Sequence, residues 1–235
     1  MFTKDDILGK RLKEVFDANA QGVEPLKAGM ALALMIMASA SYGATVRNGD
    51  DYATHPISVA FTHAKTDSYQ KKIGYILHDV IEDTRKNDPS NRWTLDDFKT
   101  CQFEDKVIAI VDSMTRREGE LYLDFIKRCS LNPDGIDGKL GDIEHNMMMS
   151  RERSLPSAKA LKNIDLYVIS MQYLLAVKKE EIEAGSPMVD FLETRRDLLQ
   201  NGTMELIKQN TTENLEKLGY NYSAQATPSG YVPMA

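Results

Sequence analysis

Thiols are nearly absent from this chain. Its 235 residues include two cysteines, Cys101 and Cys129, without the short spacing of a zinc cage or a redox pair. A disulfide framework is therefore excluded, and a chain of this length buries enough core to do without one. An excess of positive charge is also missing. Lys and Arg total 29 against 35 Asp and Glu, a formal net charge of −6, which argues against tracking a phosphate backbone and so against DNA as a partner. A small anionic ligand in a local basic pocket remains compatible with that balance. No hydrophobic run reaches the about 20 residues of a membrane helix: the most apolar one, Met30 to Ala40, reads as a buried helix. The opening Met-Phe-Thr-Lys-Asp-Asp has no basic flank followed by the apolar core of a secretion signal. These absences lead to the expectation of a soluble, cytoplasmic protein with no membrane partner.

What is present reads as helix after helix. Apolar residues make up 42 % and charged residues 27 %, ordinary globular usage. Thr3 suits an N-cap, Pro25 can open the apolar helix to about Ser41, and Gly43 can stop it. Arg47 to Thr54 reads as a polar turn, and Pro56 fits the first turn of a helix to about Lys65. One helix is predicted over Tyr69 to Thr84, a short one capped by Thr94, and others over Glu104 to Met114 and Glu120 to Cys129. Asn132, Pro133, Gly135 and Gly138 read as a loop before a helix carrying Asp142. A long helix over Ser157 to Glu183 ends at Gly185-Ser186-Pro187, with two more over Met188 to Gln200 and Thr203 to Leu218. No period-two run demands a sheet, so the expected class is all-α.

The unusual chemistry lies in three segments. His55 stands where a turn meets a helix, in Tyr52-Ala53-Thr54-His55-Pro56. His78 and Asp79 are adjacent on the apolar stretch Ile73 to Thr84, and Glu82 and Asp83 follow each of them at i+4. Asp142 lies in Lys139-Leu140-Gly141-Asp142-Ile143-Glu144-His145-Asn146. Ionisable groups crowded beside an apolar face are costly unless a cation, an arginine or a metal balances them. Two imidazoles and two carboxylates form a mixed nitrogen/oxygen set that suits manganese, iron or cobalt better than zinc.

Taken in order, these motifs resemble the HD-superfamily hydrolase domain of the RelA/SpoT homologues, which degrade the alarmone ppGpp, and in particular the small stand-alone alarmone hydrolases. The resemblance spans about residues 25 to 175, and Ile76 to Thr84 carries most of its specificity. It implies an HD-type helical bundle, taken over 1–185 with an N-terminal helix; outside the matched region the sequence itself reads as a helical extension over 186–219 and, from its Ser, Pro, Gly and Tyr content, a flexible tail over 220–235. It implies that His55, His78, Asp79 and Asp142 coordinate one Mn2+, with Fe2+ or Co2+ possible, and that Glu82 and Asp83 position and activate water. The implied reaction is hydrolysis of the 3′-diphosphate of a (p)ppGpp-like nucleotide, releasing pyrophosphate.

Substrate contacts are assigned to Arg47, Asn146 and Tyr167 from the resemblance. Arg116 and Arg117 join them as cations able to neutralise a polyphosphate. The turn around Arg47 is one residue shorter than in the family and has Asp51 where a proline is usual. His63 and His145 read as structural residues, and Met147 to Met149 as packing. Two alternatives stay open: an HD phosphohydrolase for another nucleotide (a deoxynucleotide, an adenosine alarmone or NADPH), or a non-enzymatic, antitoxin-like binding protein. The extra C-terminal helices could cover the core or form a homo-oligomer interface.

Overall fold

A computed structural model describes residues 3–11, 25–44, 49, 51–151, 158–199 and 203–218. Arg47 and the segment 220–235 lie outside the described residues, as does the expected helix start at Ser157. The fold is all-α, with no strand among the described residues. No described helix is long and apolar enough to cross a membrane.

Thr3 caps the first turn as expected, trading hydrogen bonds with Asp6 in a capping box. After it come α1 (Pro25–Ala40), with Gly43 beyond its end at φ +74°, and α2 (Thr54–Ser58), which widens into a π turn over Val59–His63. The next elements are α3 (Tyr69–Leu77), α4 (Val80–Asn87), α5 (Leu95–Thr100), α6 (Asp105–Met114) and α7 (Tyr122–Cys129). The long helices α8 (Pro133–Arg151) and α9 (Ala158–Lys178) lead to the short α10 (Met188–Thr194) and α11 (Thr203–Lys208). Thr94 heads α5 with a second capping box to Asp97.

Several expectations about helix boundaries need correction; the helix expected over Met188 to Gln200, for one, ends at Thr194 and gives way to a 3-10 turn over Arg196–Leu199. The single helix expected over Tyr69 to Thr84 is two, interrupted at His78-Asp79. His78 Nδ1 meets the Tyr75 carbonyl at 2.6 Å and the Thr115 hydroxyl donates to the His78 carbonyl at 3.2 Å, so side chains compete there for the carbonyls of the ladder. Gly135 and Gly138 are not in a loop: α8 begins at Pro133 and contains both. Near the end, the helix expected over Thr203 to Leu218 stops at Lys208. Asn210 accepts from the Leu123 amide through its carbonyl, and Thr211 and Thr212 bond to the Asp124 carboxylate, drawing the chain onto the start of α7.

Among the described residues, buried apolar side chains form two clusters. One runs from Ile7 through α1, α3, α4 and α6, with Trp93 stacked on Phe98. The other runs from α7 and α8 through α9 and takes in Met188, Phe191, Ile207 and Leu218, so the C-terminal segments share a core with α7–α9. Helix α8 joins the two by packing against α6 and the π turn on one side and α9 on the other. Its glycines permit that approach. A Cβ on Gly138 would sit 2.5 Å from Met114 Sδ and 2.6 Å from Tyr75 Cδ1, and one on Gly141 would sit 2.9 Å from the Ala64 backbone nitrogen.

Gly138→Ala should therefore lower stability. Overpacking costs about 1–3 kcal/mol, more than the about 1 kcal/mol gained from the better helix former. Urea unfolding should show a lower midpoint at unchanged slope; an unchanged or higher midpoint would mean that α8 does not depend on this contact.

Candidate metal centre and cleft

The sharp entry into α2 places His55 in its first turn beside Pro56, and the break between α3 and α4 places His78 and Asp79 at a turn. Asp142 comes from the middle of α8. These remote positions converge. His55 Nε2 lies 3.1 Å from Asp142 Oδ1 and 3.5 Å from Asp79 Oδ2. His78 Nε2 lies 3.2 Å from Asp79 Oδ2 and 3.7 Å from Asp142 Oδ1. His55, His78 and Asp79 offer ligand atoms all within 4.8 Å of one another, and Asp142 faces the same two ring nitrogens.

His78 indicates what this arrangement can hold. Its ring is fully buried, its Nδ1 is engaged by the Tyr75 carbonyl, and its Nε2 has no hydrogen-bond partner. A carbonyl can only accept, so Nδ1 carries a hydrogen, and the neutral ring would offer a lone pair on Nε2 toward the two carboxylates; with no cation there, the acids favour a second hydrogen on Nε2. A divalent cation among these four side chains would satisfy the nitrogen and both acids together.

Without such a cation the electrostatics are strained. Burial alone would pull His78 down, yet Asp79 and Asp142 hold it well above an ordinary histidine. Burial raises Asp142, but Lys139, His55 and His78 overcome this and hold it well below the usual carboxylate range. The Lys139 ammonium is buried with it and donates to Asp142 Oδ2 at 2.6 Å, while Asn146 donates to Oδ1 at 2.6 Å. The Tyr52 hydroxyl donates to Asp79. Burial and the neighbouring Asp79 push Asp83 up to about 7.

A cleft of about 560 Å³ opens onto these groups. Its wall carries the charged groups His55, Asp79, Asp142, Glu82, Lys86 and Arg116 together with Tyr122, Phe125, Tyr167, Asn163 and Asn210. Glu82 is fixed in place: its Oε1 accepts from the Arg116 amide at 2.7 Å and its Oε2 from Lys86 at 3.3 Å. Of the expected residues, His55, His78, Asp79, Asp142 and Glu82 come together, with Asn146, Arg116 and Tyr167 on the cleft wall. Asp83 is not on the lining and sits among Asp79 and Tyr52. Arg117 is not brought in either: it pairs with Asp112 at 3.4 Å and borders a separate recess with Arg85, Arg92 and Trp93.

Other members went unassigned from sequence. Tyr52 and Lys139 stood inside the quoted motifs without a role, although Lys139 at i+3 from Asp142 carries a helical pairing signal. Asn210 has no local signal, since its place depends on the contact of its segment with α7. The chain matches no protein-family model and no curated protein sequence.

Lys139 and Asp142 should behave as a buried pair. In metal-free protein, Lys139→Met or Asp142→Asn alone should each cost about 3–5 kcal/mol by leaving an uncompensated charge or donor. The double variant should lose clearly less than the sum. Additive losses in urea unfolding would refute the coupling.

Proposed function

We propose that this chain is a metal-dependent phosphohydrolase that removes pyrophosphate from the 3′-diphosphate of a (p)ppGpp-like nucleotide, with His55, His78, Asp79 and Asp142 holding one Mn2+. The observation that carries the reading is the buried, unpartnered Nε2 of His78 facing two carboxylates, both of which line the cleft. A divalent cation in this set would supply Lewis acidity, favouring ionisation of water and polarising phosphoryl oxygens.

The remaining roles belong to the chain itself. Glu82, held by the Arg116 amide and Lys86, is placed to orient the attacking water and accept its proton. Asp83, with its carboxyl near neutrality, can exchange a proton behind Asp79. Lys86 and Arg116 bring positive charge to the cleft, where the phosphoryl oxygens gain negative charge as water adds to phosphorus and the bond to the ribose 3′-oxygen, the leaving group, breaks. Lys139 keeps Asp142 ionised and aimed at the two imidazoles. Tyr122 and Tyr167, at a centroid distance of 6.3 Å, give a planar base an aromatic surface on the cleft wall.

Purified protein with Mn2+ should release pyrophosphate from guanosine 3′,5′-bis(diphosphate). Glu82→Gln should lower kcat by roughly 10²–10⁴-fold, the usual worth of a positioned base, and Asp79→Ala should abolish turnover. Deoxynucleoside triphosphates, adenosine alarmones and NADPH belong in the same assay. Turnover of one of these instead would replace the substrate, and full turnover by both variants would remove the assigned roles.

A further inference from the structure

The four proposed ligands leave one buried group next to the centre unexplained. His145, on α8 one turn beyond Asp142, is 3 % exposed and is not itself among the ligands. Its Nδ1 lies 2.8 Å from His55 Nδ1, with ring centroids 4.8 Å apart. On its other side His63 meets it edge-on at 5.2 Å and is held by Glu144 at 3.2 Å.

Two ring nitrogens at 2.8 Å share one hydrogen: one ring donates and the other accepts. That choice decides what His55 presents at its far side. If His145 donates, His55 Nδ1 is bare and its Nε2 carries a hydrogen, directed at Asp142 Oδ1 3.1 Å away. If His55 donates, its Nε2 offers a lone pair in that same direction. Only the second arrangement can ligate a cation. His78 meets the equivalent requirement through a backbone carbonyl, which can only accept. His55 has instead a partner able to take either part.

Resting on the metal centre of the proposed function, we infer that His145 is a positioning residue that sets the ring orientation and tautomer of His55, making it available as a ligand. With the site loaded, the His145 ring takes the hydrogen bond from His55 Nδ1–H and leaves His55 Nε2 as the ligand atom. No backbone movement is needed, because the two nitrogens already stand at hydrogen-bond distance.

The test compares wild type, His145→Phe and His145→Asn as metal-free full-length protein, titrated with Mn2+ by calorimetry and with Co2+ by visible absorption. Phe keeps a ring's bulk and removes the nitrogen; Asn keeps a small group that can donate or accept. His145→Phe should weaken Mn2+ binding about 10–100-fold and alter the Co2+ spectrum, and His145→Asn should recover most of the affinity. Wild-type affinity in His145→Phe would overturn the inference. So would equal weakening in both variants, which would mark a packing role. Should the wild-type chain take up no Mn2+, this inference and the metal centre fall together. Mn2+ uptake without nucleotide turnover would remove only the proposed reaction and leave the His145 result standing.

Discussion

The structure depends on how charge is balanced where α2, the α3–α4 turn and α8 meet. Two imidazoles face two carboxylates there at nitrogen–oxygen distances of 3.1 to 3.7 Å. Lys139 neutralises one side of Asp142, and the Tyr52 hydroxyl satisfies part of Asp79. Neither reaches His78 Nε2, which stays without a partner deep in the fold. Isolated buried charge is among the costliest features a protein can retain, so a cation at this point is the simplest source of balance.

Bringing these groups together is a matter of backbone shape. At the His78-Asp79 interruption both residues keep right-handed helical φ/ψ, and their side chains still meet, with His78 Nε2 3.2 Å from Asp79 Oδ2. The π turn after α2 lies directly beside His55, and such irregularities often mark functional positions. Glycines along α8 let it approach Tyr75, Met114 and Ala64 closely, which carries Asp142 to the imidazoles. The centre is thus a product of packing between segments remote in sequence.

Local patterns in the sequence foretold much of this and missed what depends on tertiary contact. The helices, the caps at Thr3 and Thr94, and the residue types at positions 55, 78, 79 and 142 were legible because each rests on nearby spacing. The glycines at 135 and 138 carry the same composition signal in a loop as in a closely packed helix, so their reading as a loop failed. The break at His78 was hidden because it arises from Thr115 and from the histidine's own bond to the Tyr75 carbonyl. The roles of His145 and Asn210 were invisible for a related reason. A packed histidine and a ligand's partner look alike in sequence, and nothing near Asn210 shows that its segment lies on α7.

A hydrolytic reading joins these features: one cleft lined by positive charge, a fixed carboxylate, and aromatic and amide groups. The most direct measurement is anomalous diffraction at the manganese edge from crystals grown with Mn2+. One peak bounded by His55 Nε2, His78 Nε2 and the carboxylates of Asp79 and Asp142 is the anticipated result. A map without density at that point, or with manganese only at surface acids, would contradict the central claim.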